Sequence, residues 1–595
     1  MTRHSPAWVE RLLRPNNAEA DARRDVLWLL GLGLLLIATG IGLRDPWPAD
    51  EPRFALIARD MAASGDWLLS RIGGDIYADK PPLYFWLMAL GIELTGSVRA
   101  AFLLPSLLSG LSSMLLVYDL GRRLWNRETG LIAGLALLFT VQFVWQARQA
   151  QIDATLCFWT TLGLYGLLRH LLLGPQWRWY CIGWAAAGFG VITKGVGFLP
   201  LLVLIPFAIL RSDAWQPRLR TARTARWLLG PLAFVAATAV WLVPMLIAAS
   251  ADPAIAAYRD EILFRQTIDR YTDAWHHREP FWYFIVEVIP WLWLPLTALL
   301  PWLVPAWRRA WRAHDLRVAL LTAWIVLVVL FFSASTGKRG VYVLPAVPAL
   351  ALVAAPYLRE VALRPVAQRV VFWIAASIAA VTALAIPYLL LNPERRAEVA
   401  TTYGLDPLGP VLVLAAGLVL VCVLARPRRG FAAFAGAVTC ALLVISFWIN
   451  PAMNDARSGK DFMARVEQLA KPNAPLGFVS FKEQYLLQAQ RPVVHFGHAR
   501  WREGEQETKD AARWLAESPD RQLIVHEISL RRCFAGADRQ SLGVANRREW
   551  YLVSGAVDPD CVRAGHPSLA HFYNPPHRQR VHNRGISSRV TSDPP

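Results

Sequence analysis

Residues 49–86 read ADEPRFALIARDMAASGDWLLSRIGGDIYADKPPLYFW. An apolar stretch at 25–43 precedes this segment, and a long series of apolar stretches follows it. The segment therefore sets an Asp-Glu pair (Asp50, Glu51), further acids and Lys80 just outside membrane-length helices. Ionisable groups are costly at a membrane boundary, so they mark a cavity where chemistry or transport takes place.

Composition agrees with a membrane setting. The 595 residues are 55% hydrophobic, with a mean hydropathy of +0.32. A spanning helix needs ~20 mostly apolar residues. Such runs lie near 26–43, 98–119, 130–147, 153–173, 179–193, 196–210, 227–249, 281–303, 317–333, 341–358, 369–391, 408–425 and 431–450. They predict a multi-pass α-helical integral membrane protein with about 13 transmembrane helices. Residues 1–24 carry Arg3, Arg11, Arg14, Arg23 and Arg24, with no small-residue cleavage site near the first apolar run. That run reads as a retained anchor.

The net charge of +18 would suit a nucleic-acid binder, but its distribution argues against one. Arginines cluster in alternate loops: Arg122–Arg123, 211–226, 308–317, 359–369 and 426–429. That is the positive-inside pattern. Between Asp45 and Lys80, seven acids face only Arg53, Arg59, Arg71 and Lys80. The expected topology is a cytoplasmic segment at 1–25 and a transmembrane domain at 26–451, whose first periplasmic loop (44–97) holds the chemistry. Of seven lysines, Lys80, Lys194 and Lys338 precede residue 452, and all three fall on the expected outer face. Lys194 reads equally well as a chance survivor of arginine-rich codon usage.

After residue 452 the apolar runs shorten to strand length: PLGFVSF (475–481), PVVHF (492–496), QLIVHEI (522–528) and EWYLVSG (549–555), with a helical stretch at 505–517. A periplasmic α/β domain is expected at 452–573. The Pro-, Arg- and Ser-rich tail at 574–595 is expected to be disordered. Cys157, Cys181, Cys422 and Cys440 sit in apolar runs and read as packing residues. Cys533 and Cys561 lie in the outer domain, where an oxidising compartment permits a disulfide.

The segment that opens this section, with its DEPR start, SGDW turn and KPPLYFW end, resembles the first outer loop of the protein O-mannosyltransferase-like GT-C glycosyltransferases. It is most similar to the bacterial branch of lipid A aminoarabinose transferases. ARQAQIDATLCFW (147–159) is similar to that family's second acidic motif, and ITKGVGFLP (192–200) to its TKGP-like element. FRQTIDRY (264–271) with HHREPFWYF (276–284), and STGKRGVYVLPAVPALAL (335–352), resemble two further outer segments. The matches span residues 50–352; the C-terminal domain shows none.

The resemblance implies inverting transfer of a sugar, aminoarabinose or a related hexose, from a polyprenyl-phosphate donor to lipid A or another envelope glycolipid. The expected location is the periplasmic side of the bacterial inner membrane. Membrane lipids would be partners and nucleic acid would not. Two alternatives stand beside it: protein O-mannosyltransferase-like transfer to Ser/Thr, and a polyprenyl-linked substrate transporter or flippase. The departing phosphate is stable as an anion, so it needs cations rather than a general acid. Lys80, Arg270 and Lys338 are the candidates, with Tyr342 and Tyr84 as further donor contacts. Asp50 is the candidate base or orienting carboxylate, Glu51 supports it, and Asp153 is an intramembrane carboxylate. Asp50 also fits a plain helix cap, and Asp153 a salt bridge to Arg148. No residue set specifies a metal or other cofactor; a divalent ion is compatible with the family.

Overall fold

The computed structural model describes residues 18–210, 213–215, 224–264, 278–498, 500–503, 505–566 and 570–576. Long helices run back and forth through a bundle, and a six-stranded sheet domain sits on one end of it.

Among the described residues, eight helices are individually long and apolar enough to cross a membrane, from Val98–Leu124 to Pro427–Leu469. A ninth span results if Phe284–Leu292 and Thr297–Arg312, bent by 98°, count as one. The expected count of thirteen is therefore not reached by length and composition. Four of the expected stretches form other elements. The first carries Asp21, Arg23, Arg24 and Asp25 in its opening turns and ends in a π-helical turn at Leu34–Ala38. The second breaks between Arg127–Leu138 and Val141–Gln146. Trp177–Lys194 is long enough but diluted by glycine and polar residues, and Leu199–Ile209 is short. Hydropathy averaging cannot see a break that one backbone turn introduces.

Helix polarity decides which residues meet. Glu51 and Asp153 lie in the first turns of Glu51–Ser64 and Ile152–Leu173, and Lys194 in the last turn of Trp177–Lys194. The opposite end gathers other charges: Arg127 on Asp25 (2.6 Å), Tyr165 on Asp119 (2.6 Å) and Arg359 on Glu128 (3.0 Å). The helices that carry Asp153 and Lys194 pack through glycine. A Cβ on Gly166 would lie 2.4 Å from the Trp179 carbonyl oxygen, and one on Gly183 would lie 2.9 Å from that of Gly163. Small residues let the two backbones approach this closely.

Strands β1 (Arg71–Ile72) and β2 (Asp75–Ile76) form a small antiparallel hairpin in the first loop. The C-terminal sheet comprises β3 (Leu476–Phe478), β4 (Val493–His495), β5 (Gln522–His526), β6 (Asp538–Ala545), β7 (Arg548–Ser554) and β8 (His571–Tyr573). Its order is β6-β7-β5-β3-β4-β8; β3 pairs parallel with β4 and β5, and the other pairings are antiparallel. β6 and β8 have no counterpart among the apolar runs of the sequence. β6 lies at the sheet edge and is mostly exposed, so it needs no hydrophobic alternation. Its turn to β7 holds Asn546 and Arg547 at φ 49° and 64°, the left-handed pair that a tight hairpin requires. The tail beyond residue 576, expected to be disordered, lies outside the described residues.

Cys533 and Cys561 are joined by a disulfide across a separation of 28 residues. In the chain-entropy model a loop of this size stabilises the domain by about 3.5 kcal/mol. The Cys533→Ser/Cys561→Ser double variant should unfold the sheet domain at clearly lower denaturant, followed by Trp550 fluorescence. An unchanged midpoint would show that the crosslink constrains nothing.

The sheet domain is docked on the first loop rather than tethered beside it. One buried cluster includes Phe54, Tyr77 and Phe85 of the loop region together with Phe462, Phe478, Tyr485 and Trp550. Polar ties accompany it. Arg53 donates to Glu483 (2.7 Å), the Arg59 guanidinium meets the Tyr573 hydroxyl, and His571 pairs with Asp75 (2.6 Å).

Candidate functional site

Asp50 occupies the cap position of Glu51–Ser64, with Pro52 in the first turn, but its side chain makes no capping bond. Instead its carboxylate accepts a hydrogen bond from the Arg339 guanidinium at 3.1 Å, 289 residues away in sequence. Burial alone would lower the Arg339 pKa; the charge and hydrogen bond of Asp50, with Asp153 and Tyr342 adding to them, outweigh burial and raise it. The guanidinium thus lies within electrostatic reach of both acids.

Asp153, 7% exposed, forms an ion pair with Lys194. The Lys194 ammonium also sits 4.4 Å from the centroid of the Tyr342 ring. The alternative pairing with Arg148 is not formed. Arg148 donates instead to the Thr39 carbonyl (2.9 Å) and hydroxyl (3.0 Å), and to the Leu36 carbonyl and Ser446 hydroxyl. The glycines of ITKGVGFLP explain how Lys194 is aimed. Gly195 ends the helix at φ +67°, and Gly197 folds back so closely that a Cβ would fall 1.9 Å from the carbonyl carbon of Gly190. Only glycine fits there.

Glu51 is a fully engaged clamp. Both its oxygens accept from Arg44, one at 2.8 Å, and they also accept the backbone N–H groups of Trp47 (3.0 Å) and Ala150 (3.0 Å). Charge-assisted bidentate geometry of this kind is strong and directional. Through Ala150 it fixes the start of the helix that bears Asp153. Glu51 therefore positions both acids, and its lone pairs are already committed.

Tyr84 is wholly enclosed, with its ring 5.6 Å from that of Phe54 and its hydroxyl 3.5 Å from Ser106 Oγ. Glu51, Asp153 and Asp50 all act on it electrostatically. The structure thus draws Asp50, Glu51, Asp153, Tyr84 and Tyr342 into one neighbourhood. It does not draw Lys338 there. That ammonium is 4% exposed and donates to the carbonyls of Glu279 (2.7 Å) and Ser335 (2.6 Å); burial lowers its pKa. Lys80 donates to the Asp79 carbonyl at 3.0 Å, directly before the Pro81-Pro82 entry to Leu83–Thr95. Arg270 lies outside the described residues, as do His276 and His277.

Sequence reasoning missed Arg339 and gave no role to Arg44. Arg339 directly follows Lys338 in the STGKRG stretch, so the signal was one residue away. Lys194 carries no sequence signal that separates a functional cation from a chance survivor; its ion pair with Asp153 does. Asp50 and Asp153 each face a cation, and no three His, Cys, Asp or Glu side chains converge among the described residues.

Arg53, two residues beyond Glu51 on the same helix, ties this region to the other domain. It donates to Glu483, which His498 also contacts at 3.2 Å. Burial would raise the Glu483 pKa, but His498 and Arg53 hold it down to about 2. A depressed carboxylate contributes stability above its unfolded pKa of ~4.5, lost as pH falls through the folded value. Docking of the two domains should therefore weaken between about pH 4.5 and 2. Limited proteolysis across that range, comparing wild type with Glu483→Gln, tests this. Identical acid sensitivity in the variant would remove Glu483 as the cause.

A helical membrane bundle that carries its acids at the end bearing a large first loop, capped by a small α/β domain, is the GT-C architecture. The solved structure of ArnT from Cupriavidus metallidurans bound to undecaprenyl phosphate superposes with a TM-score of 0.70 at 22% identity, covering 91% of this chain and 99% of that one. Its apo form gives 0.69. Residues 79–243 match the model of the dolichyl-phosphate-mannose-protein mannosyltransferase family. The chain is 34% identical over 337 residues to the undecaprenyl phosphate-alpha-4-amino-4-deoxy-L-arabinose arabinosyl transferase of Pseudomonas aeruginosa, covering 54% of this chain and 58% of that relative. It is 30% identical over 384 residues to the protein of the same name from Enterobacter, covering 63% and 66%. The chain thus spans about three fifths of the length of the relatives it matches. It has the GT-C fold, and over roughly three fifths of its length its sequence is similar to the aminoarabinose transferases.

Proposed function

We propose that this protein transfers aminoarabinose or a related sugar from a polyprenyl-phosphate donor to lipid A or another envelope glycolipid. The supporting observation is the coupled pair of acid–cation contacts, Asp50–Arg339 and Asp153–Lys194, held together at one end of the bundle beside the first loop. The names of the relatives supply the donor class. In this reading Arg339, Lys194 and Lys80 offer positive charge to the departing phosphate as the glycosyl–phosphate bond breaks. Asp50 accepts the proton of a hydroxyl acceptor or orients an acceptor phosphate already ionised. Glu51 and Arg44 keep the geometry fixed, so that little reorganisation accompanies the reaction. In this reading the site faces the periplasm of the inner membrane, with the N-terminus cytoplasmic and the sheet domain outside, an orientation that the positive-inside distribution supports.

Mass spectrometry of lipid A and envelope glycans, with the protein present and deleted, is the test. The expected result is loss of one sugar mass from lipid A on deletion. An unchanged profile in every envelope glycolipid would overturn the proposal. A loss confined to glycosylated Ser/Thr peptides would favour protein glycosylation instead.

A further inference from the structure

We propose that the C-terminal domain holds a second anion site, separate from the acid–cation cluster, that takes a phosphomonoester group. A cavity of about 190 Å³ opens where the parallel strands β3 and β4 end. Ser480 and Lys482 follow β3, and Gly497 and Arg500 follow β4. Arg548 opens β7, which runs antiparallel to β5 and so brings this residue to the carboxyl end of β5. Ligands of open α/β sheets bind in the crevice beyond the carboxyl ends of the strands.

The charges around the cavity are unevenly committed. Arg500 is occupied by Glu503 (2.7 Å), Asp510 (2.7 Å) and the Phe496 carbonyl (2.8 Å). Glu507, 3% exposed, has its oxygens taken by the Ser480 N–H (2.6 Å) and hydroxyl (3.1 Å). The side chains of Lys482 and Arg548 have no hydrogen-bond or ion-pair partner among the described residues. Two cations therefore line one concavity with their charge unspent.

Two further observations point the same way. His526, 7% exposed at the end of β5, leaves its Nδ1 without a partner among the described residues. Burial first, and then the charges of Arg548, Arg532 and Lys482, lower its pKa to about 4. The backbone is also bent to form the pocket. Ser480 sits at φ +54°, a conformation costly for a residue with a Cβ, and its N–H and hydroxyl are turned onto Glu507. Gly497 sits at φ +108° against the Arg500 side chain.

A phosphomonoester matches two convergent cations, one of them a compact ammonium and the other a forked guanidinium. It is carried both by lipid headgroups and by soluble phosphates. The pocket adjoins the docked first loop: the His495 ring, 4.7 Å from Phe481, bonds the Gly73 carbonyl (2.8 Å), and Glu483, next to Lys482, pairs with Arg53 (2.7 Å).

The test uses the full chain in phosphatidylcholine nanodiscs, with inorganic phosphate as the probe and calorimetric titration as the readout. Saturable binding is expected, weakened at least about 10-fold in Lys482→Ala/Arg548→Ala. Arg395→Ala, on the exposed Pro393–Tyr403 helix, should bind as wild type does. The altered residues are unpaired, so the double variant should keep the wild-type melting temperature; Lys482→Arg/Arg548→Lys should retain binding. In a second arm the discs contain phosphatidic acid. Loss of phosphate binding there assigns the pocket to a lipid headgroup, and retained binding assigns it to a soluble anion. Absence of saturable binding, or binding equal in wild type and the double Ala variant, overturns the proposal. The readout does not depend on sugar transfer, so it stands or falls apart from the proposed activity.

Discussion

Asp50→Asn is expected to reduce transfer to a hydroxyl acceptor by about 100-fold or more, the usual worth of a positioned general base. An acceptor phosphate is already ionised, and Asn could still orient it, so the loss should then be milder. The geometry makes the experiment decisive. Asp50 stands at a helix start yet caps nothing with its side chain; its carboxylate faces Arg339. Asn caps about as well as Asp, so a purely capping role predicts a fully active Asn variant. Single-turnover transfer by Asp50→Asn and Asp50→Ala with purified donor, alongside melting temperatures, separates the cases. Full activity in Asn with reduced stability in Ala would remove Asp50 from the chemistry.

The second large effect concerns Asp153 and Lys194. Their side chains are 10% and 14% exposed. Removing one partner of a buried pair strands the other charge, at a cost of about 3–5 kcal/mol. Lys194→Ala should therefore lose both transfer and thermal stability. Replacing the pair together by apolar residues, Asp153→Leu/Lys194→Met, should recover most of the stability, because an apolar pair needs no compensation. Transfer should stay absent, since neither the acid nor the cation remains. Recovery of transfer in the double variant would reduce the pair to a packing feature. The tight Gly166–Trp179 and Gly183–Gly163 approaches make this pair rigid, so small misplacements should be felt in rate.

The first loop was legible because its residues carry their chemistry locally. DEPR, SGDW and KPPLYFW place acids, a turn and a cation at fixed short spacing, and arginine asymmetry orients the spans. Asp50 and Asp153 stood out for the same reason: an acid beside or within an apolar run is expensive and therefore conspicuous. The strand-length runs of the C-terminal domain were equally readable where strands are buried, as in β5, and not where an edge strand is exposed, as in β6.

The sequence by itself determined the membrane class, the direction of the charge asymmetry, the chemistry-bearing loop and the existence of a separate α/β unit. All of these follow from composition and spacing over a few tens of residues. Only the tertiary structure decided the partners. Arg339 reaches Asp50 across 289 residues, Lys194 rather than Arg148 reaches Asp153 across 41, and Glu483 reaches Arg53 across 430. It also decided that Lys338, attractive as a phosphate ligand, is tied to two carbonyls, and that the sheet domain is clamped on the first loop. The physical reason is that an ion pair is satisfied by whichever charge the packing of whole helices brings within ~4 Å, and that distance is a property of helix crossings rather than of any local pattern.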